Sequence, residues 1–93
     1  MSEVAAVIRI VTLKNKYGMH ARPAMQFVEI ASRYESKLIV IKDGKDVDGK
    51  SIMGMMTLAA EKGADLTLKA NGNDADEMLA RIADLIDNKF GEE

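Results

Sequence analysis

The chain has no cysteine and no tryptophan, and only one histidine and one proline among its 93 residues. Without cysteine there is no disulfide, no thiolate nucleophile and no thiolate-bound zinc. A single histidine cannot supply a His-rich metal site, so neither a metal nor a cofactor is expected. The four aromatics, Tyr17, Phe27, Tyr34 and Phe90, are too few and too scattered for a base-stacking platform. A net charge of −2 argues against a general nucleic-acid binder. No apolar run approaches the ~18 residues that a membrane span needs. The amino terminus lacks the basic, apolar and small-residue pattern of a secretion signal. A cytoplasmic protein with neither nucleic acid nor membrane as partner is therefore expected.

What is present describes a small folded domain. Hydrophobic residues make up 47% of the chain and charged residues 30%, a balance that folds and stays in solution. The length fits one domain spanning 1–93, with no room for a second. A chain of this size buries only about 60–65% of the surface its unfolded form exposes, so the core is thin. Nothing in the pattern calls for an obligate oligomer, and a monomer is expected. There is no internal repeat and no linker; only Gly91 to Glu93 read as a free tail.

Two periodicities alternate along the chain. Val7 to Leu13 is rich in β-branched residues and reads as a strand. Its buried face is ambiguous. Ala24, Phe27, Val28, Ala31 and Tyr34 follow helical spacing, so 21–34 reads as an amphipathic helix. Leu38 to Ile41 is a short apolar strand, and Asp43-Gly44 signals a hairpin into Lys45 to Val47. Ser51 suits the N-cap of a short helix from Ile52 to Ala60. Leu66, Leu68 and Ala70 alternate with Thr67 and Lys69 as a half-buried strand. Asn73 or Asp74 suits the cap of a last helix, in which Ala75, Met78, Leu79, Ile82, Ile86 and Phe90 share a face. Asp74, Asp76 and Glu77 fall where that helix's dipole favours acids. The order β-α-β-β-α-β-α predicts an α+β, two-layer open-faced sandwich. Its four-stranded, mainly antiparallel sheet is covered on one face by three helices.

The charges are unevenly placed. From Val4 to Val28 there is no Asp or Glu, whereas Arg9, Lys14, Lys16, His20 and Arg22 fall in that window. Such a segment attracts anions or an acidic surface; a basic solvated face is the plainer reading, and charge alone does not choose between them. His20 lies within Gly18-Met19-His20-Ala21-Arg22-Pro23-Ala24. Gly18 permits a tight turn, and Pro23 fits a first helical turn, where its missing N–H costs nothing. His20 is thus placed at a helix amino terminus, where unpaired N–H groups and the dipole favour anions. Arg22 offers a planar fork to phosphate or carboxylate. No carboxylate lies close in sequence to hold His20 as a cation, and the helix end disfavours the imidazolium. These residues suit a histidine that accepts a phosphoryl group. A lone histidine also fits a structural or incidental role, and both readings stand on the residues alone.

The segment Gly18 to Ala24 resembles the active-site signature of the HPr family, the histidine-containing phosphocarriers of the phosphoenolpyruvate-dependent phosphotransferase system. Gly49-Lys50-Ser51-Ile52-Met53-Gly54-Met55-Met56 independently resembles the family's regulatory-serine segment. Length, spacing and element order agree, so the resemblance spans essentially the whole chain. It implies a shuttle and not an independent turnover enzyme. Enzyme I would load the Nδ1 of His20, and the loaded chain would donate to an EIIA domain. It further implies that Arg22, with the first-turn N–H groups after Ala21, holds the phosphoryl oxygens, and that no cofactor takes part. Asn15-Lys16-Tyr17-Gly18-Met19 is similar to the nitrogen-related branch, whereas the Ser51 segment is similar to the kinase-regulated kind.

Ser51 carries two compatible readings: a helix cap, and, by the resemblance, a site for an HPr kinase, whose phosphate would repel an acidic enzyme I. Methionines fill small cores, but they also make adaptable docking patches. Met25, Met53 and Met56 are expected in such a patch, with Met55 turned inward. Glu29 departs from the neutral or basic residue usual in the family near that position and adds an acid at the expected rim. The phosphocarrier reading requires the His20 ring to stand open at the helix entrance. A ring covered by side chains, or tied to an acid and facing inward, would contradict it.

Overall fold

Four strands and three helices follow one another as the periodicities predict. The structure, a computed structural model, describes residues 6–92. The elements are β1 (Val7–Thr12), α1 (Ala21–Ala31), β2 (Lys37–Lys42), β3 (Lys45–Asp48), α2 (Ile52–Thr57), β4 (Asp65–Asn71) and α3 (Ala75–Asp87). A short 3-10 turn, Lys89–Gly91, follows α3. The sheet order is β1-β4-β2-β3 with every pair antiparallel. The helices pack on one face, giving the expected two-layer α+β sandwich.

The register explains why β1 gave no clear buried face. Val7, Arg9 and Val11 stand opposite Ala70, Leu68 and Leu66, in line with the core. Ile8 and Ile10 point to the open side and are exposed. Apolar residues thus occupy both faces of the strand. Arg9 is tolerated on the core side because β1 is an edge strand, where a long side chain can lead its charge out to water.

The core joins Leu38, Val40, Leu66 and Leu68 of the sheet to Phe27 of α1, Met55 of α2, and Met78, Leu79, Ile82 and Ile86 of α3. Burial of each large side chain contributes about 1.5–3 kcal/mol.

Three ends differ from the sequence expectation. Helix α1 stops at Ala31 and not at residue 34, with Ser32 as its C-cap; Arg33 and Tyr34 close with three-residue hydrogen bonds to Ile30 and Ala31. Helix α2 stops at Thr57 and not Ala60, because Ala59 adopts a left-handed φ of 51°. That reversal turns the Ala60 carbonyl toward the His20 loop, where it accepts from the Met19 N–H at 2.9 Å. Phe90 is buried, but not on α3: the helix ends at Asp87, and Phe90 sits in the following turn with φ 57°.

The cap of α3 also differs. Asp74 occupies the N-cap, yet its side chain makes no cap bond. Its carboxylate instead accepts from the Glu35 and Ser36 N–H groups at 2.9 and 3.0 Å, and from the Ser36 hydroxyl. Those bonds, the Ser36 hydroxyl first, hold its carboxyl below the usual carboxylate range. Asp74 therefore ties α3 to the link between α1 and β2.

Candidate functional site

His20 is the N-cap of α1, with extended backbone (φ −88°, ψ −172°) and no side-chain cap bond. Its carbonyl accepts from the Ala24 N–H at 3.0 Å. Pro23 has no N–H to offer. The donors left at the helix entrance are therefore the Ala21 and Arg22 N–H groups, not a whole turn of them as the sequence suggests. A helix end of this kind favours an anion by about 0.3–1 kcal/mol.

The turn leading to His20 depends on Gly18. Its φ is +64°, and a Cβ built there would lie 2.3 Å from the Ala60 carbonyl oxygen. Gly18 in turn offers its own carbonyl to the His20 N–H at 3.0 Å. An open pocket of about 530 Å³ lies in front, lined by Lys16, Tyr17, His20, Arg22, Gly91 and Glu92. Arg22 is exposed there, with no side-chain partner among the described residues. The Tyr17 ring meets the His20 ring edge-on, with centroids 6.1 Å apart, and Lys16 Nζ lies 5.3 Å from the Tyr17 centroid.

The structure overturns two expectations here. The first is that no carboxylate attends His20. Glu92, 72 residues away in sequence, places Oε2 2.8 Å from His20 Nε2. The second is that Gly91 to Glu93 form a free tail. Lys89, Phe90 and Gly91 all have left-handed φ, 57°, 57° and 73°, and turn the chain back to the site. The two non-glycine residues cost roughly 1–2 kcal/mol each. Burial of Phe90, 2% exposed, offsets this by about 1.5–3 kcal/mol. Glu93 lies outside the described residues.

The carboxylate does not close the site. The His20 side chain remains 39% exposed, and the contact is made at Nε2. An ionised carboxylate only accepts, so Nε2 carries the proton and Nδ1 is left with a lone pair in the neutral ring. Glu92 is itself held: Asn15 Nδ2 donates to its Oε1 at 3.0 Å and to the Gly18 carbonyl at 2.7 Å. Asn15, Lys16, Tyr17 and Glu92 were absent from the sequence-based site. The first three lie in its basic window, but no local signal marks Glu92.

Elsewhere the cationic window is partly neutralised, since Lys14 pairs with Asp87 at 2.9 Å. Ser51 caps α2, its Oγ accepting from the Gly54 N–H at 3.0 Å. Met25, Met53 and Met56 are exposed and Met55 is fully buried. Helices α1 and α2 pack on each other, so the exposed methionines stand on neighbouring elements. Glu29 is exposed, with Arg33 3.9 Å away.

A family model described as the PTS HPr component phosphorylation site matches residues 7–88. The chain belongs to the HPr family. Phosphocarrier protein HPr of Treponema pallidum is 44% identical over 87 residues, covering 94% of this chain and 99% of its own length. The HPr-like protein Crh of Bacillus subtilis is 47% identical over 73 residues, covering 78% of this chain and 86% of its own. The crystal structure of HPr-C-His from Thermoanaerobacter tengcongensis matches with a TM-score of 0.90 at 46% identity, covering 94% of this chain and 98% of that one. Family membership places the chain among the phosphocarrier proteins of the phosphotransferase system. Among the described residues no helix is long and apolar enough to cross a membrane.

Proposed function

We propose that this protein carries a phosphoryl group on Nδ1 of His20, taken from phospho-enzyme I and given to an EIIA domain. The observation that carries the reading is the division of the ring: Nε2 is engaged by Glu92, while Nδ1 of this N-cap residue has no hydrogen-bond partner among the described residues. In the transfer the Nδ1 lone pair attacks phosphorus in line. The phosphorus–nitrogen bond on the donor breaks, and its electron pair returns to the donor ring. The His20 ring, neutral before attack, becomes cationic, with Nε2–H retained. Glu92 faces that developing positive charge, as a carboxylate faces the imidazolium of a hydrolytic triad. The Ala21 and Arg22 N–H groups and the Arg22 guanidinium face the phosphoryl oxygens. Donation reverses these steps, so the hold on the phosphate must be loose. An exposed Arg22 suits that requirement.

Met25, Met53 and Met56 form the apolar docking patch for enzyme I and EIIA, with Glu29 at its rim. Ser51 is the regulatory site of an HPr kinase; a phosphate there adds about −1.5 to −2 charge beside that patch. In this reading the protein works as a monomer in the cytoplasm. The test is incubation with enzyme I and labelled phosphoenolpyruvate. Wild type takes up acid-labile, base-stable label, His20→Ala takes none, and Arg22→Ala is slowed but folded. Label persisting on His20→Ala would refute the assignment. Met53→Glu is expected to slow transfer without changing thermal stability, since exposed substitutions shift folding by no more than about 0.5 kcal/mol.

A second reading is a regulatory or nitrogen-related carrier. It is favoured by Asn15-Lys16-Tyr17-Gly18-Met19 and by the likeness to Crh, described as a catabolite repression HPr. Transfer from the loaded protein to a nitrogen-type EIIA, but not to a sugar-type EIIA, would decide for it.

A further inference from the structure

We infer that Asn15 is a positioning residue for the phosphoryl step: buried under the His20 loop, it holds the Glu92 carboxylate against Nε2 and so fixes which ring nitrogen is left to react. The inference rests on the phosphocarrier reading and names a residue that reading does not use.

Asn15 is fully buried, one of only two buried polar residues named in the described core. Its amide nitrogen faces two acceptors, the Gly18 carbonyl at 2.7 Å and Glu92 Oε1 at 3.0 Å. Turning the amide over would set its oxygen against both of them, so the orientation is determined by its surroundings. Its Oδ1 has no hydrogen-bond partner. A buried polar atom left unpaired is costly and calls for an explanation. Loop closure alone does not supply one, because the Gly18 N–H already bonds the Asn15 backbone carbonyl at 3.2 Å. What the Asn15 side chain adds is its second proton, given to Glu92. The other oxygen of that carboxylate meets His20 Nε2 at 2.8 Å.

The two contacts share one carboxylate and fix its plane. A carboxylate held by Asn15 on one oxygen presents the other to the ring from a single direction. The ring nitrogen that donates to it keeps the proton, and the opposite nitrogen keeps the lone pair. The buried Phe90 and the left-handed turn at 89–91 bring Glu92 within reach. The supporting group and the reacting group thus come from one loop, and the linking carboxylate comes from the other end of the described chain.

The test uses the full chain with the variants Asn15→Ala, Asn15→Asp, Glu92→Ala and the double variant Asn15→Ala/Glu92→Ala. Nitrogen-15 spectra of the ring report the tautomer, and phosphorylation by enzyme I and phosphoenolpyruvate reports the step. Wild type is expected mainly with the proton on Nε2. Asn15→Ala and Glu92→Ala are both expected to raise the Nδ1–H form and to slow phosphorylation about tenfold, the scale of a modest loss of alignment. Asn15→Asp sets like charges together and is expected to do at least as much. In the double variant the second change adds little, because both act through one contact. Glu92 is part-buried, its side chain 16% exposed, and lies outside every helix and strand, so its variant reports even where Asn15→Ala folds poorly. An unchanged tautomer in Glu92→Ala, or rate losses that multiply in the double variant, overturns the inference. Wild type that is phosphorylated, with an Asn15→Ala variant that is folded and equally fast, rejects Asn15 alone. A wild type that shows the tautomer preference yet accepts no phosphate rejects the phosphocarrier reading instead.

Discussion

Replacing Gly18 by alanine tests how the His20 loop is built. Gly18 has φ +64°, and its new Cβ would lie 2.3 Å from the Ala60 oxygen and 2.7 Å from Glu61 Cα, both backbone atoms that cannot swing aside. The left-handed conformation alone costs roughly 1–2 kcal/mol in a non-glycine residue. Relieving the clash pushes away the same Ala60 carbonyl that accepts from the Met19 N–H at 2.9 Å, a loss of about 0.5–1.5 kcal/mol. The total is about 1.5–3.5 kcal/mol. Gly63 is the internal control: its φ is +89°, but a Cβ there meets nothing within 4 Å. Gly63→Ala therefore carries the left-handed cost, roughly 1–2 kcal/mol, without the clash. The difference is the lost hydrogen bond, about 0.5–1.5 kcal/mol, so at about 4–8 °C per kcal/mol for a chain of this size Gly18→Ala should melt about 2–12 °C below Gly63→Ala. Function separates them further. The Gly18 carbonyl holds both the His20 N–H and Asn15 Nδ2, so Gly18→Ala slows phosphorylation while Gly63→Ala leaves it unchanged. Midpoints agreeing within about 1 °C, less than the shift from 0.5 kcal/mol, would show that the close approach at Ala60 is not what makes glycine necessary.

Further outcomes follow from other contacts. Ser51→Ala removes the acceptor of the Gly54 N–H and should cost about 1 kcal/mol, whereas Ser51→Asp keeps a cap and is expected to slow loading by enzyme I through added charge. Denaturant titration reads the first, and the rate of phosphorylation by enzyme I and phosphoenolpyruvate reads the second. Asp74 has its carboxyl held below the usual range by Ser36 and Glu35, so it contributes stability above the ordinary carboxylate value, lost as pH falls through the depressed one. Wild type should therefore lose stability below about pH 4 more steeply than Asp74→Asn. Equal slopes would remove Asp74 as the tie between α3 and the α1–β2 link.

Much of this architecture was legible in the sequence because local and global signals agree. Leu66, Leu68 and Ala70 alternate on a half-buried strand as read, although its place between β1 and β2 comes from the structure. Ser51 caps α2 because serine before an apolar turn does so in most settings. His20 at a helix entrance follows from Gly18 and Pro23, each fixing a backbone angle. What was not legible depends on distant partners. Phe90 fits the α3 spacing, but the chain leaves the helix three residues earlier, and burial of the ring against the core, not helical phase, decides its place. Asp74 looks like a cap, yet two N–H groups and a hydroxyl of the α1–β2 link compete for its carboxylate more effectively than the first turn of α3. Glu92 has no local signal: an acid near the end of a chain reads as solvated, and only the left-handed turn at 89–91 turns it toward His20. β1 was ambiguous because isoleucines stand on its open side.

The central claim is that Nδ1 of His20 is the phosphoryl acceptor. Nitrogen-15 and phosphorus-31 spectra of the protein after loading by enzyme I and phosphoenolpyruvate test it most directly. A single phosphoramidate on His20 Nδ1 is expected, with the proton retained on Nε2 beside Glu92. A phosphate bonded to Nε2, or a folded protein that carries none, would contradict it.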